Sequence, residues 1–413
     1  MNTETQKSLK SNMIWNSIGS LTYFGCQWLI TILVVRLSSG YETAGTLAFA
    51  MSIANIFTPL ALYRMRTYQV SDLENINSTA DYMGFRIITC AIAIIACGIY
   101  SAFTCPASAL PSILLYLVFK TLEQLIDVIA GLEQKVMRLD LAGKSFIIRG
   151  VLTLISFCVT LSATGSLPLS ITSMSVVTIA IGMTYDIPNG ARYDSIVPSF
   201  RWSRIEPLLK SCFSVTIAAV AAGAVMTIPK QYLGMSLGEE MLGIYSSLAS
   251  PVAIVQIGGT YVYAPLIGMF AERYMDRDKS GFVTILTRAT FAMVGIGLIA
   301  CIAFFLVGKP VLKLLFGEGI LAYSGLVPPM IATSMITGYY LFLSDLLLTM
   351  REFMGSTLGG ILALIASVIL ALPLINSTAM NGVSLTGSIA YGIGIVISLI
   401  FVHKQLLLRC KTN

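Results

Sequence analysis

The sequence predicts an all-α membrane protein with about 12 membrane-spanning helices in two six-helix bundles. Three observations predict it: composition, the spacing of apolar runs and the placement of basic residues. Charged residues make up 11% of the chain and hydrophobic ones 56%, with a mean hydropathy of +0.83. A soluble domain carries roughly 25% charged residues. So few charges cannot cover a water-facing surface of a 413-residue chain, and a soluble globular protein is excluded. At about 20 residues per span, a dozen spans consume roughly 240 residues. The rest is spread over short loops, too little for a separate soluble catalytic domain.

The first apolar run, 13–35, follows Lys7 and Lys10. It is longer than a signal-peptide core and lacks a small-residue cleavage site, so it reads as an uncleaved first span. The next five runs lie at 43–63, 84–104, 110–131, 146–164 and 168–187. The second set follows at 211–229, 241–270, 282–307, 323–350, 355–375 and 382–402. The longest linkers, around 64–83 and 188–210, are polar and charged. Pro59, Pro251, Pro265, Pro328 and Pro329 fall inside runs and are expected to kink them. Gly355 and Gly359 form a small-residue packing motif in the eleventh run.

Halving the runs gives lobes at 1–205 and 206–413, and short internal matches fit that division. Glu42-Thr-Ala-Gly45 follows the first span and Glu240-Met-Leu-Gly243 follows the seventh. Met137-Arg138 ends the fourth span and Met350-Arg351 ends the tenth.

Basic residues fix the orientation. With the N-terminus inside and the spans alternating, the inward segments hold every lysine and arginine except Arg36, Lys230, Lys309 and Lys313 outside and Lys120 within a span. Both termini are therefore expected in the cytoplasm, with the basic loops on the anionic inner leaflet. The net charge of +6 then needs no nucleic-acid partner. The eight cysteines form no C-x-x-C pair and read as small core hydrophobes. His403 is the single histidine, and no phosphate-binding loop is present. No catalytic set, metal cluster or cofactor site is expected.

Together with the paired lobes, Arg66-Thr-Tyr-Gln-Val-Ser-Asp72 after the second span and Met137-Arg-Leu-Asp-Leu-Ala-Gly143 with Arg149 carry a resemblance. The chain resembles the Wzx-type O-antigen and capsule-unit flippases, the polysaccharide branch of the multidrug/oligosaccharidyl-lipid/polysaccharide (MOP) exporter superfamily. The resemblance implies two bundles in a MATE-like V around a central cavity. It further implies movement of an undecaprenyl-diphosphate-linked oligosaccharide from the inner to the outer leaflet of the bacterial cytoplasmic membrane by alternating access. A polysaccharide polymerase of the same pathway would be a partner.

Such a substrate needs a wet, cationic cavity for its diphosphate while its tail stays in lipid. Intramembrane charges are the place to look, because each costs about 2.5–3.5 kcal/mol at a helix centre. Lys120, Glu123 and Asp127 fall within an arc of about 60° and about 10 Å of rise on the fourth span. This face is expected to line a cavity, with Lys120 on the diphosphate and Glu123 or Asp127 on a coupling H+ or Na+. An internal ion pair that only locks helices would leave the same pattern. Asp345 in the tenth span is a second ion-coupling candidate, with a capping carboxylate as its alternative. Asp186, just before Pro188, reads as a helix-end residue.

Arg64 and Arg66 at the inner mouth are candidate diphosphate ligands. Arg36 and Lys230, at the outer ends of the first helix of each lobe, are candidates for the exit side or for snorkelling. Asn16, Gln27, Asn55, Tyr23 and Trp28 suit sugar contact or helix packing. Two other readings compete. A cation-coupled multidrug antiporter would want carboxylates and aromatics, not arginines, around its cavity. A membrane glycan polymerase or acyltransferase would want a catalytic residue and a large outer loop.

Overall fold

The computed structural model describes residues 8–38, 40–72, 76–263 and 266–410; Lys7, Pro265 and Lys411 lie outside them. The chain divides into two compact units between Val220 and Ala221. The first contains α1 (Leu9–Leu37), α2 (Glu42–Leu62), the short α3 (Met65–Ser71), α4 (Thr79–Thr104), α5 (Leu110–Lys135), α6 (Leu139–Thr164) and α7 (Leu167–Ile181). A π turn at Gly182–Asp186 leads into α8 (Ile187–Gly190), and α9 (Trp202–Leu237) carries the chain across the division.

Local chemistry sets the helix ends. The Ser78 hydroxyl accepts from the Asp81 backbone N–H while the Asp81 carboxylate accepts from the Ser78 N–H, a reciprocal cap that starts α4. Arg201 binds the same carboxylate at 2.9 Å. Helix α2 stops at Tyr63 and Arg64, both left-handed with φ of 48° and 53°. Helix α6 stops at Gly165 (φ 65°), where the missing Cβ removes the strain, and Pro168 restarts the chain as α7.

Within this unit α5 packs on α2, α4 and α7, and α1 runs along α6. The α1–α6 seam is a backbone contact. A Cβ on Gly19 would fall 2.3 Å from the Gly143 carbonyl oxygen, and one on Gly143 would fall 2.3 Å from that of Trp15. Tyr63, Met65, Tyr82, Phe85, Val128 and Ile129 form the buried core near the α2–α3 break.

The second unit holds the remainder of α9, then α10 (Glu239–Tyr263), α11 (Leu266–Met275) and α12 (Lys279–Ala303). A π turn at Phe304–Gly308 precedes α13 (Lys309–Phe316), and a 3-10 turn at Gly319–Leu326 precedes α14 (Val327–Thr349), α15 (Phe353–Thr378) and α16 (Asn381–Cys410). Helix α14 packs on α10, α12 and α16, and α15 lies along α16. Gly355 and Gly359 do pack there: a Cβ on Gly355 would meet Phe401 at 2.7 Å.

Among the described residues, ten helical segments are long and apolar enough to span a membrane, and the bent α9 makes an eleventh. The run expected at 110–131 is present as the 26-residue α5, which is more polar than those ten because it carries Lys120, Glu123 and Asp127 together. Large apolar side chains such as Phe103, Phe291, Phe305 and Leu314 point outward. Lys279–Phe316 is largely unburied along its most apolar stretch, as suits a surface solvated by lipid.

Two sequence expectations need correction. Pro328 and Pro329 do not interrupt a helix; they occupy the first turn of α14, where no backbone donor is required. The Met137-Arg138 and Met350-Arg351 pairs are not in register. Met137 (φ 59°) closes α5, with the Arg138 N–H on the Glu133 carbonyl at 2.7 Å. In α14 the left-handed residue is Arg351 (φ 59°), with the Glu352 N–H on the Leu347 carbonyl at 2.8 Å. Met137 therefore corresponds to Arg351, one position later. Glu42 and Glu240 do sit in the first turns of α2 and α10.

Candidate functional site

The charged face of α5 opens onto a cavity of about 400 Å³ within the first unit. Helix α1 contributes Asn16, Ser20, Tyr23 and Phe24, α3 contributes Arg66, and α6 contributes Phe146 and Arg149. Helix α5 contributes Lys120, Glu123, Gln124 and Asp127. The helical spacing explains the last group, and the glycine seam between α1 and α6 explains why Tyr23 and Arg149 come so close: a Cβ on Gly150 would fall 2.9 Å from the Tyr23 Cα.

Every carboxylate in the cavity has a cation beside it. The Lys120 Nζ donates to Glu123 Oε2 at 2.7 Å, and the Tyr23 hydroxyl donates to Glu123 Oε1. Arg66 donates to Asp127 Oδ1 at 2.6 Å and, through Nε, to Gln134 at 3.2 Å. Behind Asp127 stands Arg86 on α4, fully buried, with Nη2 at 3.5 Å from Asp127 Oδ2. Arg149 lies over the rings of Phe146 and Tyr23, at 5.1 and 5.9 Å from their centroids. Its Nε is buried without a hydrogen-bond acceptor. Among the lining residues three cations (Arg66, Lys120, Arg149) face two carboxylates (Glu123, Asp127). The wall is net positive, with amide and hydroxyl groups and aromatic faces between the charges.

The structure thus brings four of the charged sequence candidates together: Lys120, Glu123, Asp127 and Arg66. Arg64 is exposed at the α2–α3 turn and does not line the cavity. Arg36 is exposed in the last turn of α1, about 20 Å along the helix from Tyr23 at 1.5 Å per residue. Lys230 and Asp345 belong to the second unit; Lys230 is half-buried, and Asp345 is exposed and accepts from the Tyr263 hydroxyl at 3.0 Å. Asp186 is buried at the π turn. Asn16 and Tyr23 line the cavity; Gln27 reaches Thr153 at 3.5 Å instead.

Sequence reasoning gave two residues no place in the site. With spans beginning at 84 and 146, Arg86 and Arg149 read only as basic residues at the inner ends of their spans, with no site role. The helices begin at Thr79 and Leu139, which carries both side chains into the buried interior. The Ser78-x-x-Asp81 capping pattern could have signalled the earlier start of α4.

No family model matches the chain. It is 25% identical over 298 residues to the capsular polysaccharide biosynthesis protein CapF of Staphylococcus aureus, covering 71% of this chain and 74% of that one. Among solved structures it resembles an inward-facing multidrug resistance MATE family transporter of the MOP superfamily, with a TM-score of 0.74 and 11% identity. That match covers 94% of this chain and 95% of the other. It also resembles the lipid II flippase MurJ in an inward closed conformation, with a TM-score of 0.72 and 13% identity over 96% of this chain and 90% of that chain.

Proposed function

We propose, starting from a chain with the multi-pass fold of the MOP superfamily transporters, that this protein is a flippase for a polyprenyl-diphosphate-linked oligosaccharide. It would move the unit from the cytoplasmic to the outer leaflet of a bacterial cytoplasmic membrane, for surface polysaccharide synthesis, with both termini inside. A polymerase would take up the delivered unit. The observation that carries this reading is the net-positive cavity of Arg66, Lys120 and Arg149. The CapF likeness agrees with it.

The physical problem is desolvation. A diphosphate cannot enter hydrocarbon bare, and guanidinium forks replace its water with paired N–H donors. Arg149 is the cation best placed to do so, because it lines the cavity without a carboxylate at ion-pair distance among the described residues, unlike Lys120 and Arg66. Lys120 and Arg66 would exchange a carboxylate for a phosphate. Asn16, Ser20 and Gln124 offer hydrogen bonds to sugar hydroxyls, and Tyr23 and Phe24 offer ring faces. The polyprenyl tail stays in lipid throughout. Once Lys120 turns to the diphosphate, Glu123 keeps only the Tyr23 hydroxyl, and we assign it the coupling H+ or Na+. Arg36, Lys230 and Asp345 are not among the residues that line the cavity and have no role in this reading.

A complementation assay tests the proposal. In cells lacking the gene, Lys120→Ala/Arg149→Ala protein that reaches the membrane should restore less than about a tenth of surface polymer, and lipid-linked units should accumulate. Normal polymer from the double variant would refute it. A multidrug antiporter shares the fold, and it predicts drug susceptibility on deletion with surface polymer unchanged.

A further inference from the structure

The cavity contains one carboxylate with two arginines, and the two are not equivalent. Arg66 comes from the cavity side, on the seven-residue α3; its side chain is 28% exposed, and it holds Asp127 Oδ1 at 2.6 Å. Arg86 comes from behind. It is 0% exposed, and its Nη1 donates to the Ala61 and Leu62 carbonyls at 2.9 and 2.5 Å, where α2 breaks. It is not among the residues that line the cavity.

The contact between Arg86 and Asp127 is incomplete. Nη2 and Oδ2 stand 3.5 Å apart, within Coulomb range but beyond an N–H···O hydrogen bond. Both atoms are buried, and neither has another hydrogen-bond partner. Buried polar atoms left unpaired are costly, so a donor and an acceptor facing each other across this gap favour any small shift that closes it. Arg66, which now competes for the same carboxylate, holds Asp127 toward the cavity.

We propose that Arg86 is a standby counter-ion: when an anionic head group draws Arg66 off Asp127, the carboxylate closes on Arg86 instead of being left unpaired. Arg86 is then a positioning residue that raises anion affinity without meeting the anion. Releasing Arg66 in its absence would strand a carboxylate in a low-dielectric wall, which opposes release. The inference rests on the head-group reading above and adds to it a reason for the buried arginine.

The test is a double-mutant cycle on anion binding by the full chain in lipid nanodiscs, with a short-chain polyprenyl diphosphate as the probe. Arg66→Ala should weaken binding at least tenfold. Arg86→Met should weaken it about tenfold, and Arg86→Met/Asp127→Asn should recover wild-type affinity or better, since Arg66 then has no charged competitor. A purely structural Arg86 would leave the double variant as weak as Arg86→Met, and that result would overturn the inference. If Arg86→Met does not fold, Asp127→Asn alone decides: binding should tighten several-fold, and equal or weaker binding overturns the inference. Failure of the wild type to bind the probe would strike down the head-group reading and this inference together; binding by the wild type without the recovery strikes down only the inference.

Discussion

Glu123 is the residue on which the α5 face turns. Lys120 and Tyr23 both donate to it, one from the same helix and one from α1. Removing only the lysine leaves a largely buried carboxylate without its cation, whereas removing both charges leaves two polar groups that can share a hydrogen bond. Lys120→Met should therefore destabilise the protein more than Lys120→Met/Glu123→Gln, with a coupling of about 0.5–3 kcal/mol in thermal or denaturant melts in micelles. Additive effects would show that the pair is not coupled in the fold. The three charges of this face were legible in the sequence because 100° per residue is a property of the helix alone. That Arg66 and Arg149 meet the same face was not legible. Those approaches depend on how α3 and α6 pack against their neighbours, and no local pattern encodes it.

At the scale of the element, the α1–α6 seam builds the cavity wall. Gly143 faces the Trp15 carbonyl with no room for a side chain. Gly143→Val should separate the helices that carry Tyr23 and Arg149, costing about 1–3 kcal/mol as overpacking does. A lowered melting temperature together with lost polymer export is the expected pair of results, and unchanged stability would contradict the close packing. The connection between α3 and α4 makes a pH-dependent prediction. Asp72 accepts from the backbone N–H groups of Ile76 and Asn77 at 3.0 Å and from the Tyr82 hydroxyl at 2.8 Å. Burial pushes its carboxyl up, but the Asn77 N–H, the Tyr82 hydroxyl and the Ile76 N–H outweigh burial and hold it below the ordinary range. A folded-state value below the unfolded one, about 3.9, gives stability that is present above that pH and lost as pH falls through the folded value. Asp72→Ala should thus cost about 1–3 kcal/mol at pH 7. The gap to wild type should narrow below about pH 4. A gap independent of pH would mean that the carboxylate charge is not what caps this turn.

Across the whole molecule, the asymmetry of lysines and arginines predicts the topology. Reporter fusions at both termini and near Arg201 should read as cytoplasmic, and fusions near Lys309 as external. An external C-terminus would invert the proposed direction of transport. Composition and run spacing predicted the number of long helices, including α5, whose charges make it a poor span by hydropathy alone. They missed the register of the internal repeat, because the matching Met-Arg pairs align as letters while the helix-closing turn sits one residue later in the second unit.

By itself, then, the sequence determined a multi-pass helical chain and one charged helix face, since hydropathy and helical periodicity act through neighbours along the chain. The tertiary structure alone decided that this face meets an excess of arginines, that each carboxylate there is already shared, and that Arg86 stands behind one of them. Those facts arise from segments dozens of residues apart. Only packing brings them within hydrogen-bonding range.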